Sequence, residues 1–249
     1  MTQAMKDKLI AVLYPARCAF CGKVILPQSG ICSDCETEAQ AVAGETCSLC
    51  AMPKERCSCG RRSHFYDAAA AAYLYGGVVK DGILRYKKGG DRRAAAFFAA
   101  EAARRYREAF DFPADLVTYI PQRDAERRKR SFHQARELAQ LVARELELPL
   151  FDGMVKLYDV PPQKSVPYLY KRGNVAGIFD VGDPEAIRGK TVLLFDDVKT
   201  SGETLDECAK MLKLRGARTV VALSVAVTEN KRKKKQTAAE KRKNQKIHT

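Results

Sequence analysis

Apolar residues fall along this chain in two rhythms. Unbroken runs mark "DLVTYI" (Asp115 to Ile120, ended by Pro121), "GKTVLLFDD" (Gly189 to Asp197) and "TVVALSVAV" (Thr219 to Val227). Each predicts a strand covered on both faces, as in a parallel sheet. "DAAAAAYLYGG" (Asp67 to Gly77) is alanine-rich enough for a helix, but Tyr-Leu-Tyr ahead of Gly-Gly favours a strand entering a turn. Elsewhere the period is helical. Asp91 to Phe110 mixes Ala, Arg and Phe without Gly or Pro, Ala135, Leu138, Ala139, Val142 and Leu146 share one face, and so do Leu205, Cys208, Ala209 and Leu212 before Gly216. Strand, helix, strand in this order predicts an α/β fold with a doubly wound, mainly parallel sheet. Ligands of such sheets bind beyond the carboxyl ends of the strands. The basic stretch after Ile120 and the acidic one after Phe195 both fall there.

Charge refines this picture. The 249 residues carry a net +14, but residues 230 to 249 hold nine Lys and Arg against one Glu. That segment lacks apolar periodicity from Lys231 onward and is expected to be disordered. The remainder is mildly basic, which suits a phosphorylated small molecule or a nucleic acid. No run approaches the ~20 apolar residues of a membrane helix. "LIAVLY" (Leu9 to Tyr14) is short for a signal-peptide core and has no small-residue cleavage site after it, so a cytoplasmic chain without membrane insertion is expected.

Eight of nine cysteines lie between Cys18 and Cys59, spaced Cys18-x-x-Cys21, Cys32-x-x-Cys35, Cys47-x-x-Cys50 and Cys57-x-Cys59. Each pair can set two thiolates on one tight turn, half of a tetrahedral Zn²⁺ site. Gly22 and Gly60 follow the first and last pairs, where the turn favours positive φ. The simplest assignment joins Cys18, Cys21, Cys32 and Cys35, then Cys47, Cys50, Cys57 and Cys59; an interleaved pairing uses the same residues. A disulfide framework needs an oxidising compartment. Closed Cys₄ sites leave no open position, so a structural role is expected. His64 is a surface residue or a substitute ligand, and Cys208 a small core residue on a helix.

Phosphate chemistry concentrates in "DDVKTSGET". Thr200, Ser201, Gly202 and Thr204 combine backbone amides, hydroxyls and a helix start into an anion cradle. Asp196 and Asp197 beside it can accept hydrogen bonds from a diol or hold Mg²⁺ through water. Phosphate at one end and diol at the other describe a phosphorylated ribose. Plain helix capping is the alternative.

"VLLFDDVKTSGET" resembles the phosphoribosyl pyrophosphate (PRPP) loop of the type I phosphoribosyltransferases. The whole layout resembles one branch, the ComF/ComFC competence proteins, in which a Cys-rich zinc module precedes a phosphoribosyltransferase domain. "YGGVVKDGILRYKKGGD" (Tyr75 to Asp91), "IPQRDAERRKRSFHQARELA" (Ile120 to Ala139) and "PPQKSVPYLYKRGNVAGIF" (Pro161 to Phe179) carry the likeness further. It implies a zinc-ribbon-like module over residues 1–64, a phosphoribosyltransferase-like domain over 65–229, and a basic tail over 230–249. By the same resemblance Asp196 and Asp197 hold the ribose hydroxyls, and Thr200, Ser201, Gly202, Glu203 and Thr204 bind the 5′-phosphate. Arg123, Arg127, Arg128 and Arg130 take the pyrophosphate with Lys87 near it, and Gln163, Arg172 and Asn174 belong to a closing loop. The family's Arg-Gly-Phe-Asn-Gln is here Arg130-Ser131-Phe132-His133-Gln134. The implied reaction is displacement of pyrophosphate from PRPP, with Mg²⁺, by an unidentified acceptor. A non-catalytic adaptor that handles single-stranded DNA beside a helicase-like partner, or a PRPP sensor, are the alternatives.

Overall fold

The computed structural model describes residues 15–26, 28–60, 63–89, 92–121, 134–157 and 178–229. The predicted strands form a parallel sheet: β1 (Ala68–Leu74), β2 (Leu116–Tyr119), β5 (Thr191–Lys199) and β6 (Thr219–Val227), in the order β1-β6-β5-β2. The central pair, β5 and β6, is buried along nearly its whole length, which the unbroken apolar runs anticipate. Strand starts are locked by two aspartates. Asp115 donates its amide to the Thr191 carbonyl and accepts the Thr191 amide on its carboxylate at 2.7 Å. Asp67 does the same with Val220, also at 2.7 Å.

β1 is a strand although alanine favours helices. Its Ala70 and Ala72 face Ala94, Ala95, Ala99 and Ala102 within one core, so small residues on both sides let helix and sheet approach closely. Those alanines belong to α3 (Arg92–Ala109), which lies with α4 (Gln134–Glu145) on one face of the sheet. α1 (Ser33–Glu38) and α2 (Gly77–Gly89) lie upstream on the same side. α5 (Glu203–Leu214) covers the other face with Leu205, Cys208, Ala209 and Leu212. Beside it sits a two-stranded antiparallel sheet of β3 (Met154–Lys156) and β4 (Phe179–Val181), fastened by Arg215 donating twice to Asp180 at 2.8 Å.

Both sheet edges are covered. Along β1, Val42 donates to the Ala72 carbonyl and Leu74 donates to that of Gln40, both at 2.8 Å. Beyond β2, Leu150 forms a parallel bridge to Val117. The helix that follows β2, α4, and the helix that follows β5, α5, lie on opposite faces of the sheet. The carboxyl ends of these two neighbouring strands therefore open a crevice, the place where a doubly wound sheet takes its ligand. No helix among the described residues is long and apolar enough to cross a membrane.

Candidate functional site

Tyr119 pairs with Phe195 across β2 and β5, and Ile120 donates to the Phe195 carbonyl at 3.3 Å, so the start of the basic stretch adjoins the acids. The strand does not stop at the acids, because β5 continues through Lys199. Asp197 is buried and receives the Lys87 ammonium at 2.7 Å. Lys87 sits at the end of α2, whose position is set by buried Gln134, donating from Nε2 to the Lys87 carbonyl, and by Tyr86, donating to Glu137 at 2.9 Å. Asp196 is half-buried as a residue, but its carboxyl is desolvated. Burial pushes its pKa up to about 8, with the Asp197 carboxylate adding to the rise and Lys87 opposing it.

After the acids comes the cradle. Gly202 is the residue before α5 and has φ of 81°, a left-handed conformation that favours glycine. No side chain caps the helix there; Ser201 Oγ lies 3.5 Å from the Glu203 amide, a long contact. The first-turn amides of α5 are therefore open to an anion, with Thr200, Ser201, Glu203 and Thr204 around them. The alternative that these residues simply cap the helix is not what the geometry shows.

Among predicted site residues, Lys87, Asp196 and Asp197 come together, and the segment 200–204 follows them at the end of β5. Arg123, Arg127, Arg128, Arg130, Gln163, Arg172 and Asn174 lie outside the described residues, as do Ser131, His133 and the tail.

The cysteines assemble as two groups, Cys18, Cys21, Cys32 and Cys35, and Cys47, Cys50, Cys57 and Cys59, with the sulfurs of each within 4.8 Å of one another. The sulfur–sulfur separations are 3.7 Å for Cys21–Cys32, 3.8 Å for Cys47–Cys59, and 3.5 Å for Cys50–Cys57 and Cys57–Cys59. Four thiolates about 2.3 Å from one zinc ion stand about 3.8 Å apart, whereas a disulfide needs about 2.05 Å. The donor sets fit structural zinc. Gly22 and Gly60 have the expected positive φ, 80° and 65°. In the second cluster Ala51 also takes a left-handed φ, 64°, directly after Cys50. His64 is not a member of either group; its ring stacks on Tyr66 at 4.5 Å.

Each cluster is docked beside the crevice. The first packs on α2, where Arg85 donates to the carbonyls of Cys18, Ala19 and Phe20 at 2.7–2.9 Å. Gly82 lets that approach happen, since a Cβ there would lie 2.8 Å from Ala19 O and Phe20 Cα. The second packs under the cradle. Tyr66 donates to the Leu49 carbonyl at 2.9 Å, while Asp206 in the first turn of α5 accepts the Phe65 amide and lies 3.5 Å from His64 Nδ1. Between them is Lys199, 5% exposed, its pKa lowered by burial and raised in opposition by negative charge on Cys50, Cys59, Cys47 and Asp206. Arg85, Tyr66 and Lys199 were not singled out by sequence, and Gln134 entered only as the end of the segment compared with the family's Arg-Gly-Phe-Asn-Gln. The one available signal was a lysine inside an otherwise buried strand end.

A double zinc ribbon domain model matches residues 9–64, and a phosphoribosyl transferase domain model matches residues 133–248. Competence protein ComFC of Bacillus subtilis (strain 168) is 24% identical over 203 residues, covering 78% of this chain and 82% of that one. Competence protein ComFC of Streptococcus pneumoniae (strain ATCC BAA-255 / R6) is 26% identical over 211 residues, 79% of this chain and 87% of that one. Among solved structures, an allosteric regulatory enzyme of purine biosynthesis is 20% identical with a TM-score of 0.37; the match covers 53% of this chain and about a quarter of that one, 25%.

Proposed function

Because the chain belongs to the ComF/ComFC family, we propose that it binds PRPP with Mg²⁺ and transfers the phosphoribosyl group, releasing pyrophosphate. The observation that carries this reading is the uncapped start of α5 at Gly202, set directly after the Asp196–Asp197 pair. In this reading the 5′-phosphate rests on the first-turn amides and the hydroxyls of Thr200, Ser201 and Thr204. Asp196 and Asp197 accept hydrogen bonds from the ribose diol. Lys87, already at the acids, turns to the pyrophosphate, joined by Arg123, Arg127 and Arg130, and the family likeness adds Gln163 and Arg172 as further ligand contacts. The acceptor's nucleophile forms the new bond at C1 as the C1–O bond to pyrophosphate breaks, and the departing charge is neutralised by these cations. Magnesium, when bound with PRPP, shares that neutralisation. Positioning and electrostatics supply the catalysis, and no protein nucleophile is required.

Calorimetry with PRPP and Mg²⁺ tests it. The full chain should bind, and an Asp196→Ala/Asp197→Ala double variant should lose at least about a hundredfold in affinity, as expected for two charge-assisted contacts. A wild-type chain that does not bind sinks the proposal. The pH dependence has a definite sign. Free Asp196 is mostly protonated below about 8, and a diol favours the carboxylate, so affinity should climb as pH rises from 6 toward 8, by at most about tenfold per unit, then level off. Binding without pyrophosphate release in the presence of nucleobases, ammonia or single-stranded DNA would indicate a sensor or adaptor instead of a transferase.

A further inference from the structure

Lys199 is a buried lysine with an unusual set of neighbours. Its side chain runs inward from the last residue of β5, only 5% exposed. The ammonium lies 6.0 Å from the centroid of the Tyr66 ring and 3.2 Å from where a Cβ on Gly202 would stand. It makes no hydrogen bond or ion pair among the described residues. An ammonium on a side chain this enclosed is favoured by negative charge nearby. Two positions qualify. Below is the second cysteine cluster, whose Leu49 carbonyl is bonded to Tyr66; four thiolates on one Zn²⁺ carry a net charge of about −2. Above is the open start of α5, where an anion would sit.

We infer that Lys199 is a positioning residue whose ammonium is held beneath Gly202 by the charge of the metallated second cluster, so that occupancy of that zinc site sets the anion affinity of the loop at residues 200–204. The inference rests on the reading of that loop as a phosphate site. It assigns the two zinc ribbons unequal roles, because the Tyr66 ring beside the Lys199 ammonium bonds to the second ribbon, at the Leu49 carbonyl. It also makes the coupling reciprocal: an anion on the loop must tighten retention of the second metal by the same factor.

The test uses the full chain reconstituted with Co²⁺, with ribose 5-phosphate as the probe, in wild type, Lys199→Met and Lys199→Arg. Lys199→Met should lower ribose 5-phosphate affinity about tenfold, a loss typical of one buried charge interaction. It should also shift the thiolate-to-cobalt charge-transfer band of one of the two centres, and Lys199→Arg should restore both readouts to near wild type. In wild type, ribose 5-phosphate should slow release of one metal to a chromogenic chelator; in Lys199→Met it should not. Wild-type affinity and an unchanged cobalt spectrum in Lys199→Met overturn the inference while leaving the phosphate site standing. Equal loss of affinity in both variants with no spectral change does the same. Failure of wild type itself to bind ribose 5-phosphate overturns the phosphate reading and this inference together.

Discussion

The two cysteine clusters are near copies in ligand chemistry, yet they grip the α/β body differently. The first is held by shape and by neutral carbonyls. Phe20, fully buried, meets Tyr73 and Phe97 edge-on at 5.4 and 5.6 Å, and Arg85 gathers three carbonyls of the knuckle. The second is held by a polar network under the cradle, through Tyr66, His64, Asp206 and Lys199. Packing of the first kind fixes where α2 stands, and through it where Lys87 meets Asp197. A network of the second kind sets local charge. The first cluster should therefore govern stability, and the second should govern ligand affinity.

Removing Arg85 should produce the largest effect. Arg85→Ala leaves the carbonyls of Cys18, Ala19 and Phe20 without their donor in a buried setting, about 1–3 kcal/mol each and not fully additive. A loss of about 3–5 kcal/mol, or roughly 10 °C in melting temperature, is expected. An unchanged melting temperature would break the comparison at its strongest point. Gly82→Ala should come next. Helix propensity alone favours alanine by about 1 kcal/mol, but a Cβ 2.8 Å from the backbone of the ribbon should cost about 1–3 kcal/mol. Net destabilisation in a urea titration supports close approach as the fastening, and stabilisation would refute it. The smallest change is expected from Tyr66→Phe, about 1 kcal/mol for the lost hydrogen bond to Leu49. Here ribose 5-phosphate affinity should fall about twofold to threefold, whereas Arg85→Ala should alter it less than it alters stability. Calorimetry and melting on the same two variants would show whether that order reverses.

Much of this was readable in advance, for physical reasons that differ by element. Continuous apolar runs announced β2, β5 and β6, because strands buried on both faces leave no polar positions to confuse the period. The sequential pairing of the cysteines proved to be the real one, since only eleven residues separate Cys21 from Cys32 and seven separate Cys50 from Cys57, short enough to close each knuckle pair on itself. α2 was not foreseen as a helix. Its glycines depress helix propensity, and it is stabilised by the ribbon packed against Gly82 and Arg85. The β3–β4 pair was missed as well, because three-residue strands carry no period. At the site, the acids and the cradle are contiguous in the chain and so were legible. Lys199 was not, because a lysine at a strand end ordinarily leads to solvent; only the folded chain turns it inward beneath Gly202.

The short segment at residues 40–42 has a further consequence. It occupies the outer hydrogen-bonding edge of β1, a row of buried alanines that would otherwise offer unpaired amides and carbonyls to any passing strand. This guard is tethered on both sides by zinc ligands, Cys35 before it and Cys47 after it. Demetallation should thus do more than loosen a small module: it should bare a sticky sheet margin, and self-association of the metal-free chain, visible by light scattering and reversed by zinc, is the outcome that margin dictates.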